Sequence, residues 1–316
     1  MKPLKNDIPK RDRFAKSKRY NLKRLGIMLL SLIRNFKKKQ YSVRSISILG
    51  CGWLGLPLAK HLIQCGYHIK GSTTTPEKIL ALKRAGVEAC LIQCVPEITG
   101  DQLATFFKSD ILFLNIPFKR DLENPGYYQR QIDSVVKWIE SSTIRFVIFA
   151  SSTSIYPEDI SEAREDWPIK PHNARAKVLL DTEKAILKNR RFKSTVVRFS
   201  GLYGGERQIG QFLAGKKDLE GADQPVNLIH LDDCVGIVSQ VIQKGVYGEI
   251  FNAVSDVHPT RKQLYTAAAR HLNIPPPQFL RTSLAKSYKV VSNRKIKDIL
   301  GYTFRYPDPM VFEEKR

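Results

Sequence analysis

The sequence predicts an α/β fold, a doubly wound parallel sheet followed by a looser C-terminal region, and three observations carry that expectation. A strand, a tight glycine turn and a helix occur in succession: Ser45–Leu49, then Gly50-Cys51-Gly52-Trp53-Leu54-Gly55, then LPLAKHLIQCG. Short apolar runs then alternate with helical stretches at the spacing of βαβ units. From about residue 200 the strands become sparse while glycine and charge increase.

The glycine turn has meaning because of its setting. G-x-G-x-x-G between a strand and a helix is a dinucleotide fingerprint. Gly50 permits the turn, and Gly52 lets a pyrophosphate approach the backbone. Gly55 lets the helix pack closely on the strand, with the amides around Trp53 and Leu54 facing the anion. Residues 45–200 therefore read as an NAD(P)-binding Rossmann domain. The second strand, Tyr67–Gly71, arrives on schedule. NAD binders usually carry an acidic residue about twenty positions past the glycines; this chain has Ser72-Thr73-Thr74-Thr75 there. The hydroxyls of Ser72, Thr73 and Thr74, with Lys78 nearby, suit a 2′-phosphate, so NADP is favoured over NAD. An ordinary helix start competes for the same residues, with Thr75 as N-cap and Pro76 in first position. Further strands are expected at Ala89–Gln93, Ile111–Ile116 and Phe146–Ala150. Asn115 and Pro117, at the end of the fourth, should pass beside the cofactor, because loops at strand C-termini line the crevice of such sheets.

Composition sets the frame. With 316 residues, 42% hydrophobic and 26% charged, the chain has the make-up of a globular protein. Its net charge of +22 is uneven, since residues 1–44 hold 15 Lys and Arg against two acids. The apolar run within that segment, Leu25–Ile33, is too short to span a bilayer, and RNFKKK follows where a signal-peptide cleavage site would stand. A solvated extension is the reading given most weight. An amphipathic membrane-surface helix and a basic arm for nucleic acid are the alternatives, and no interleaved aromatic pattern supports the latter. Five cysteines without CxxC spacing fit buried free thiols in a reducing, cytoplasmic setting. No metal is expected, because the six histidines do not cluster with them.

Beyond the glycine turn, Ser151-Ser152-Thr153-Ser154-Ile155-Tyr156, Arg198-Phe199-Ser200-Gly201-Leu202-Tyr203-Gly204, His230-Leu231-Asp232-Asp233-Cys234-Val235 and Ser292-Asn293-Arg294-Lys295 with Leu300-Gly301-Tyr302 follow in order. Together they resemble the extended short-chain dehydrogenase/reductase superfamily, in its NAD-dependent epimerase/dehydratase branch. GWLGLPLA, SSTSIY, VNLIHLDD and YPDP are similar to a small bacterial epimerase-like subgroup whose reactions are mostly unassigned. The resemblance implies a substrate-binding region at 201–316 interleaved with the Rossmann sheet, a small polar and perhaps nucleotide-linked substrate, and commonly a homodimer. It also implies that Ser152 orients the reacting oxygen, with Thr153 beside it at the substrate. The superfamily's Tyr, a proton donor or acceptor, falls on Asn173, and its Lys, which holds the nicotinamide ribose, falls on Lys177.

A carboxamide has no proton to exchange near neutral pH. Asn173 is left to hydrogen-bond a substrate or, better, to cap the helix carrying Lys177. Tyr156, His172 and Tyr203 are the remaining proton-donor candidates, Tyr156 foremost because it shares a loop with Ser152. Arg207, after a glycine turn, offers a cation for a substrate phosphate or carboxylate. The expected function is an NAD(P)-dependent oxidoreductase of epimerase-like type. The alternative is a catalytically silent NADP(H)-binding sensor or scaffold.

Overall fold

The structure, a computed structural model, describes residues 43–118, 126–280 and 288–312. The readings given above for the basic N-terminal segment lie, but for its last two residues, outside them. From Arg44 the described residues form one compact unit.

Seven parallel strands make the central sheet, in the spatial order β11-β8-β7-β6-β1-β2-β3. They are β1 (Ser45–Leu49), β2 (His68–Thr73), β3 (Glu88–Leu91), β6 (Ile111–Leu114), β7 (Phe146–Ser152), β8 (Lys193–Phe199) and β11 (Ile250–Ala253). Two short pairs lie outside it: β4 (Gln93–Cys94) with β5 (Ile98–Thr99), and β9 (Gly201–Tyr203) with β10 (Leu228–His230). The helices are α1 (Gly55–Gln64), α2 (Ile79–Arg84), α3 (Leu103–Phe106), α4 (Gly126–Glu140), α5 (Ala174–Lys188), α6 (Leu231–Lys244) and α7 (Arg261–His271). The chain winds from β1 outward to β3, then returns to β6 on the other side of β1. That reversal opens a crevice at the C-terminal ends of β1 and β6, where doubly wound sheets bind their ligands.

The strands are apolar throughout because helices cover both faces. Alternation still decides which side each residue serves. Leu112, Leu114, Val147 and Phe149 pack with Tyr128, Ile132, Val135 and Ile139 of α4 and with Leu179, Leu180 and Ile186 of α5. From the C-terminal part of the chain, β11 supplies the edge strand beside β8. Several boundaries differ from expectation: β3 ends at Leu91 and β6 at Leu114. β2 runs on to Thr73 and β7 to Ser152, so hydroxyl residues end both strands. Polar residues are tolerated there because these strand ends open onto the crevice.

One carboxylate pins the start of the sheet. Asp110 Oδ2 accepts from the backbone amides of Arg44 and Ser45 and from the Ser45 hydroxyl, and Oδ1 pairs with Arg145 at 3.4 Å. Burial alone would raise its pKa, but these donors outweigh it and hold the carboxyl below its ordinary value. A depressed folded pKa gives stability that is present above the unfolded value, near 4, and lost as pH falls through the folded one. Asp110→Asn is therefore expected to lower the melting temperature at neutral pH and to flatten its fall below about pH 4. An acid limb as steep as that of the wild type would refute this.

Candidate functional site

A cleft of about 840 Å³ lies at the crevice, lined by the glycine turn, the ends of β2, β6, β7 and β8, and residues of α4 and α5. Its floor is built as the motif requires. Gly50 has φ of 109° and, carrying a Cβ, would meet the Asn115 carbonyl oxygen at 2.6 Å, so the turn is open only to glycine. A Cβ on Gly52 would meet nothing within 4 Å, which leaves its backbone bare towards the cleft. Asn115 Nδ2 donates to the Gly50 carbonyl at 3.0 Å, tying β6 to the turn.

Ser72 behaves differently from expectation. Its hydroxyl accepts from the Gly50 amide at 2.9 Å and Ser72 is 2% exposed, so it braces the glycine turn from beneath. Thr73 Oγ1 accepts from the Thr75 amide at 3.1 Å. Thr74 and Lys78 are exposed at the cleft wall, as are Gln93 and Val95 beyond the neighbouring β3. Thr75 precedes a 3₁₀ turn at Pro76–Lys78 without capping it through its side chain. The Cys51 thiol, pushed up to about 12 by burial, is inert packing against β2.

On the opposite wall stand Ser151 and Ser152, Pro117 and Phe118, Tyr127 and Tyr128. Ser152 Oγ accepts from the Ser154 amide at 3.1 Å and keeps its own proton to give. Ser151 donates to the buried Glu183 carboxylate at 2.5 Å. Trp53 and Arg207 also line the cleft, the guanidinium lying 4.3 Å above the indole ring. The indole N–H is buried with no hydrogen-bond partner among the described residues. Arg207 is shared with a second cavity of about 400 Å³, walled by Tyr203, Ile209, His230, Tyr306 and Phe312.

Three sequence expectations need correction, and Asn173 takes the capping role preferred for it rather than a place at the substrate. Lys177 points into solvent and pairs with Asp181 at 2.7 Å, its side chain 67% exposed. Asn173 is exposed and its Oδ1 accepts from the Ala176 amide at 2.8 Å, a pure helix cap. Thr153 is buried off the cleft. Tyr156 is fully buried, its hydroxyl donating to Asn252 Oδ1 or the Arg164 carbonyl and accepting from Arg198; burial raises its pKa further. Tyr203, also raised by burial, lines the second cavity instead. The residues of α5 that face the cleft are Arg175 and Leu179. Two positions on a helix turn the side chain by about 200°, so the pair 173/177 and the pair 175/179 lie on opposite faces. Motif spacing counted from Asn173 missed this. Asn173→Ala is expected to cost about 1 kcal/mol of stability and to leave dinucleotide affinity unchanged; a loss of affinity in titration would show that Asn173 reaches the ligand.

The segment from His230 is structural. His230 Nδ1 accepts from the Asp232 amide and caps α6, while buried Asp233 accepts from the Tyr302 hydroxyl and the amides of Arg305 and Tyr306. Among the described residues no group of three or more His, Cys, Asp or Glu converges as a metal site, and no helix is long and apolar enough to cross a membrane. Of the cysteines, Cys51, Cys90 and Cys234 are buried, but Cys65 is exposed.

The fold and the cleft place the chain in the extended short-chain dehydrogenase/reductase superfamily, on its epimerase/dehydratase-like side. A putative NAD-dependent epimerase/dehydratase from Methylobacillus flagellatus superposes with a TM-score of 0.65 at 25% identity, over 84% of this chain and 95% of that one. The ADP-L-glycero-D-manno-heptose-6-epimerase of Helicobacter pylori superposes with a TM-score of 0.70 at 15% identity, over 85% of this chain and 93% of its own, a likeness of fold. No family model matches the chain. Protein YeeZ of Escherichia coli strain K12 is 31% identical over 271 residues, 85% of this chain and 98% of the relative, and the chain belongs to the family of that protein.

Proposed function

We propose that the protein is a nicotinamide-dinucleotide-binding oxidoreductase of the epimerase/dehydratase type, acting on a small polar, possibly nucleotide-linked, substrate, with NADP favoured over NAD. The observation that carries this reading is the cleft at the β1/β6 reversal, with bare Gly52 at its floor. Its residues fit the cofactor. The glycine turn and the start of α1 suit a pyrophosphate. The buried Trp53 N–H, without a hydrogen-bond partner among the described residues, is a donor at the cleft. Thr74 and Lys78, with no acidic side chain among the described residues that line the cleft, suit a ribose phosphate. When bound, the nicotinamide would supply hydride transfer. Ser152 would orient the reacting oxygen by hydrogen bonding, and Arg207 would hold an anionic part of the substrate.

A second reading, a catalytically silent NADP(H)-binding protein, is favoured by one observation: α5 offers the cleft an arginine and a leucine and no proton-exchanging side chain. Titration of the purified protein with NADPH and NADH by nicotinamide fluorescence decides the common part. Binding of both, with NADPH several-fold tighter, is expected; no binding of either would remove both readings. Substrate-dependent change at the nicotinamide absorbance band across sugar nucleotides, lost in Ser152→Ala, would select the enzyme. Binding without turnover would select the silent protein.

A further inference from the structure

The second cavity, which the dinucleotide reading leaves unused, has the size and lining of a site for one small molecule. Its volume of about 400 Å³ lies at the small end for ligand pockets. The rings of Tyr203, His230, Tyr306 and Phe312 line it, together with Ile209 and Leu272. The rings brace one another. Tyr203 meets His230 edge-on with centroids 5.0 Å apart, and the His230 centroid lies 3.6 Å from that of Tyr306. A Cβ on Gly210 would meet the Ala268 carbonyl oxygen at 2.6 Å, so the loop from Tyr203 to Gly210 is seated directly on α7.

Arg207 is common to this cavity and the cleft. Its backbone is held to Gly204 by reciprocal amide-to-carbonyl hydrogen bonds of 3.0 and 3.1 Å, and its guanidinium rests 4.3 Å from the Trp53 ring centroid. Stacking on a ring occupies the flat face of a guanidinium and leaves its N–H edge to bond an anion. No acidic side chain is among the described residues that line either cavity. A fork of donors beside a ring-walled space matches an anion joined to a flat apolar ring.

We propose that the second cavity is the ring-binding part of the substrate site and that the substrate is a small aromatic anion. Arg207 holds its phosphate or carboxylate, and Tyr203, Tyr306 and Phe312 enclose its ring. This rests on the oxidoreductase reading above and narrows its substrate class. The hydroxyls of a sugar, or the edge donors and acceptors of a nucleobase, would each need a partner on burial. In this wall His230 Nδ1 is taken by the Asp232 amide, and the one carboxamide among the described lining residues, that of Gln208, is exposed. A benzene-type ring needs no such partner, and edge-on or offset contact with Tyr and Phe rings stabilises it.

Calorimetric titration of the full chain with phenyl phosphate and methyl phosphate, with and without saturating NADPH, tests this. Phenyl phosphate is expected to bind at least about tenfold more tightly than methyl phosphate, since burial of the ring is what separates them. The same margin for benzoate over acetate would extend the anion to carboxylates; its absence would restrict the anion to phosphates. Arg207→Gln should weaken phenyl phosphate binding at least about tenfold and leave NADPH affinity within about twofold of the wild type. Phe312→Leu, which keeps an apolar wall without the ring, should reduce the margin over methyl phosphate, and Lys177→Gln should leave it unchanged. Equal affinity for the two phosphates overturns the proposal, as does wild-type binding of phenyl phosphate in Arg207→Gln. UMP bound more tightly than phenyl phosphate gives the cavity to a nucleotide, against the proposal. A tenfold or greater loss of NADPH affinity in Arg207→Gln would assign the guanidinium to the cofactor's pyrophosphate and overturn it as well. The two readings fail separately. A protein that binds NADPH and no phenyl phosphate loses only the ring site, whereas one that binds phenyl phosphate as expected and no NADPH loses the dinucleotide reading and, with it, the assignment of this anion as substrate.

Discussion

Glu183→Ala is expected to destabilise the protein by about 3–5 kcal/mol. Glu183 sits on α5 with its side chain 2% exposed, against Arg198 on β8 at 4%. The guanidinium meets the carboxylate through Nε and Nη2, the latter at 2.7 Å, and Ser151 donates to the same carboxylate from the end of β7. Arg198 also donates to Tyr156 at 2.7 Å. Removing the acid leaves a buried guanidinium hydrogen-bonded to the Tyr156 hydroxyl and attracted to Glu165, and the desolvation cost of that charge is then offset far less. Replacing both partners with apolar residues of similar volume, Glu183→Met with Arg198→Leu, should cost clearly less than the single change, because no charge is then stranded. Urea unfolding of the three proteins checks this. A single variant within about 1 kcal/mol of the wild type would mean that water reaches Arg198 and the network is not sealed.

That network also explains which parts of the fold and site could be read from the sequence. The glycine turn and the strand–helix alternation follow from local chemistry: a strand covered on both faces is apolar throughout, and a turn at φ of 109° must be glycine. The facing of α5 depends on a whole helix, and its pattern was present in the residues. Ala176, Leu179, Leu180 and Ile186 are the buried stripe. Lys177, Asp181, Lys184 and Lys188 recur at helical spacing on the polar side. Weighed by periodicity, Lys177 belongs to solvent and Arg175 to the edge of the buried face. Weighed by motif spacing from Asn173, Lys177 belongs to the site. The helix is set by burial along four turns, and Glu183 fixes it by reaching Arg198. Ser72 was misassigned for a different reason: its hydroxyl could serve a ligand or the turn, and only the 2.9 Å approach of the Gly50 amide settles that. The Arg207–Trp53 stack joins residues more than 150 positions apart, and no local pattern announces it.

Two glycines of the turn should separate scaffold from ligand when each is given a single methyl group. In Gly55→Ala the new Cβ would lie 2.2 Å from the Gly50 carbonyl oxygen and 3.1 Å from Ile48 Cγ2. The obstacle is backbone, so no rotamer change relieves it, and α1 must move away from the turn. The expected result is a loss of about 1–3 kcal/mol of stability together with at least roughly tenfold weaker NADPH binding, since the amides at the start of α1 lose their aim. In Gly52→Ala the Cβ meets no protein atom within 4 Å. Stability should stay within about 0.5 kcal/mol of the wild type, while affinity still falls, because the methyl group occupies the surface that the pyrophosphate needs. Thermal unfolding and NADPH titration on the same two samples give four numbers, and the prediction lies in their pattern. Equal affinity in Gly52→Ala and the wild type would place the ligand elsewhere than on this turn. Equal stability in Gly55→Ala and the wild type would show that the contact between turn and helix is looser than 2.2 Å implies.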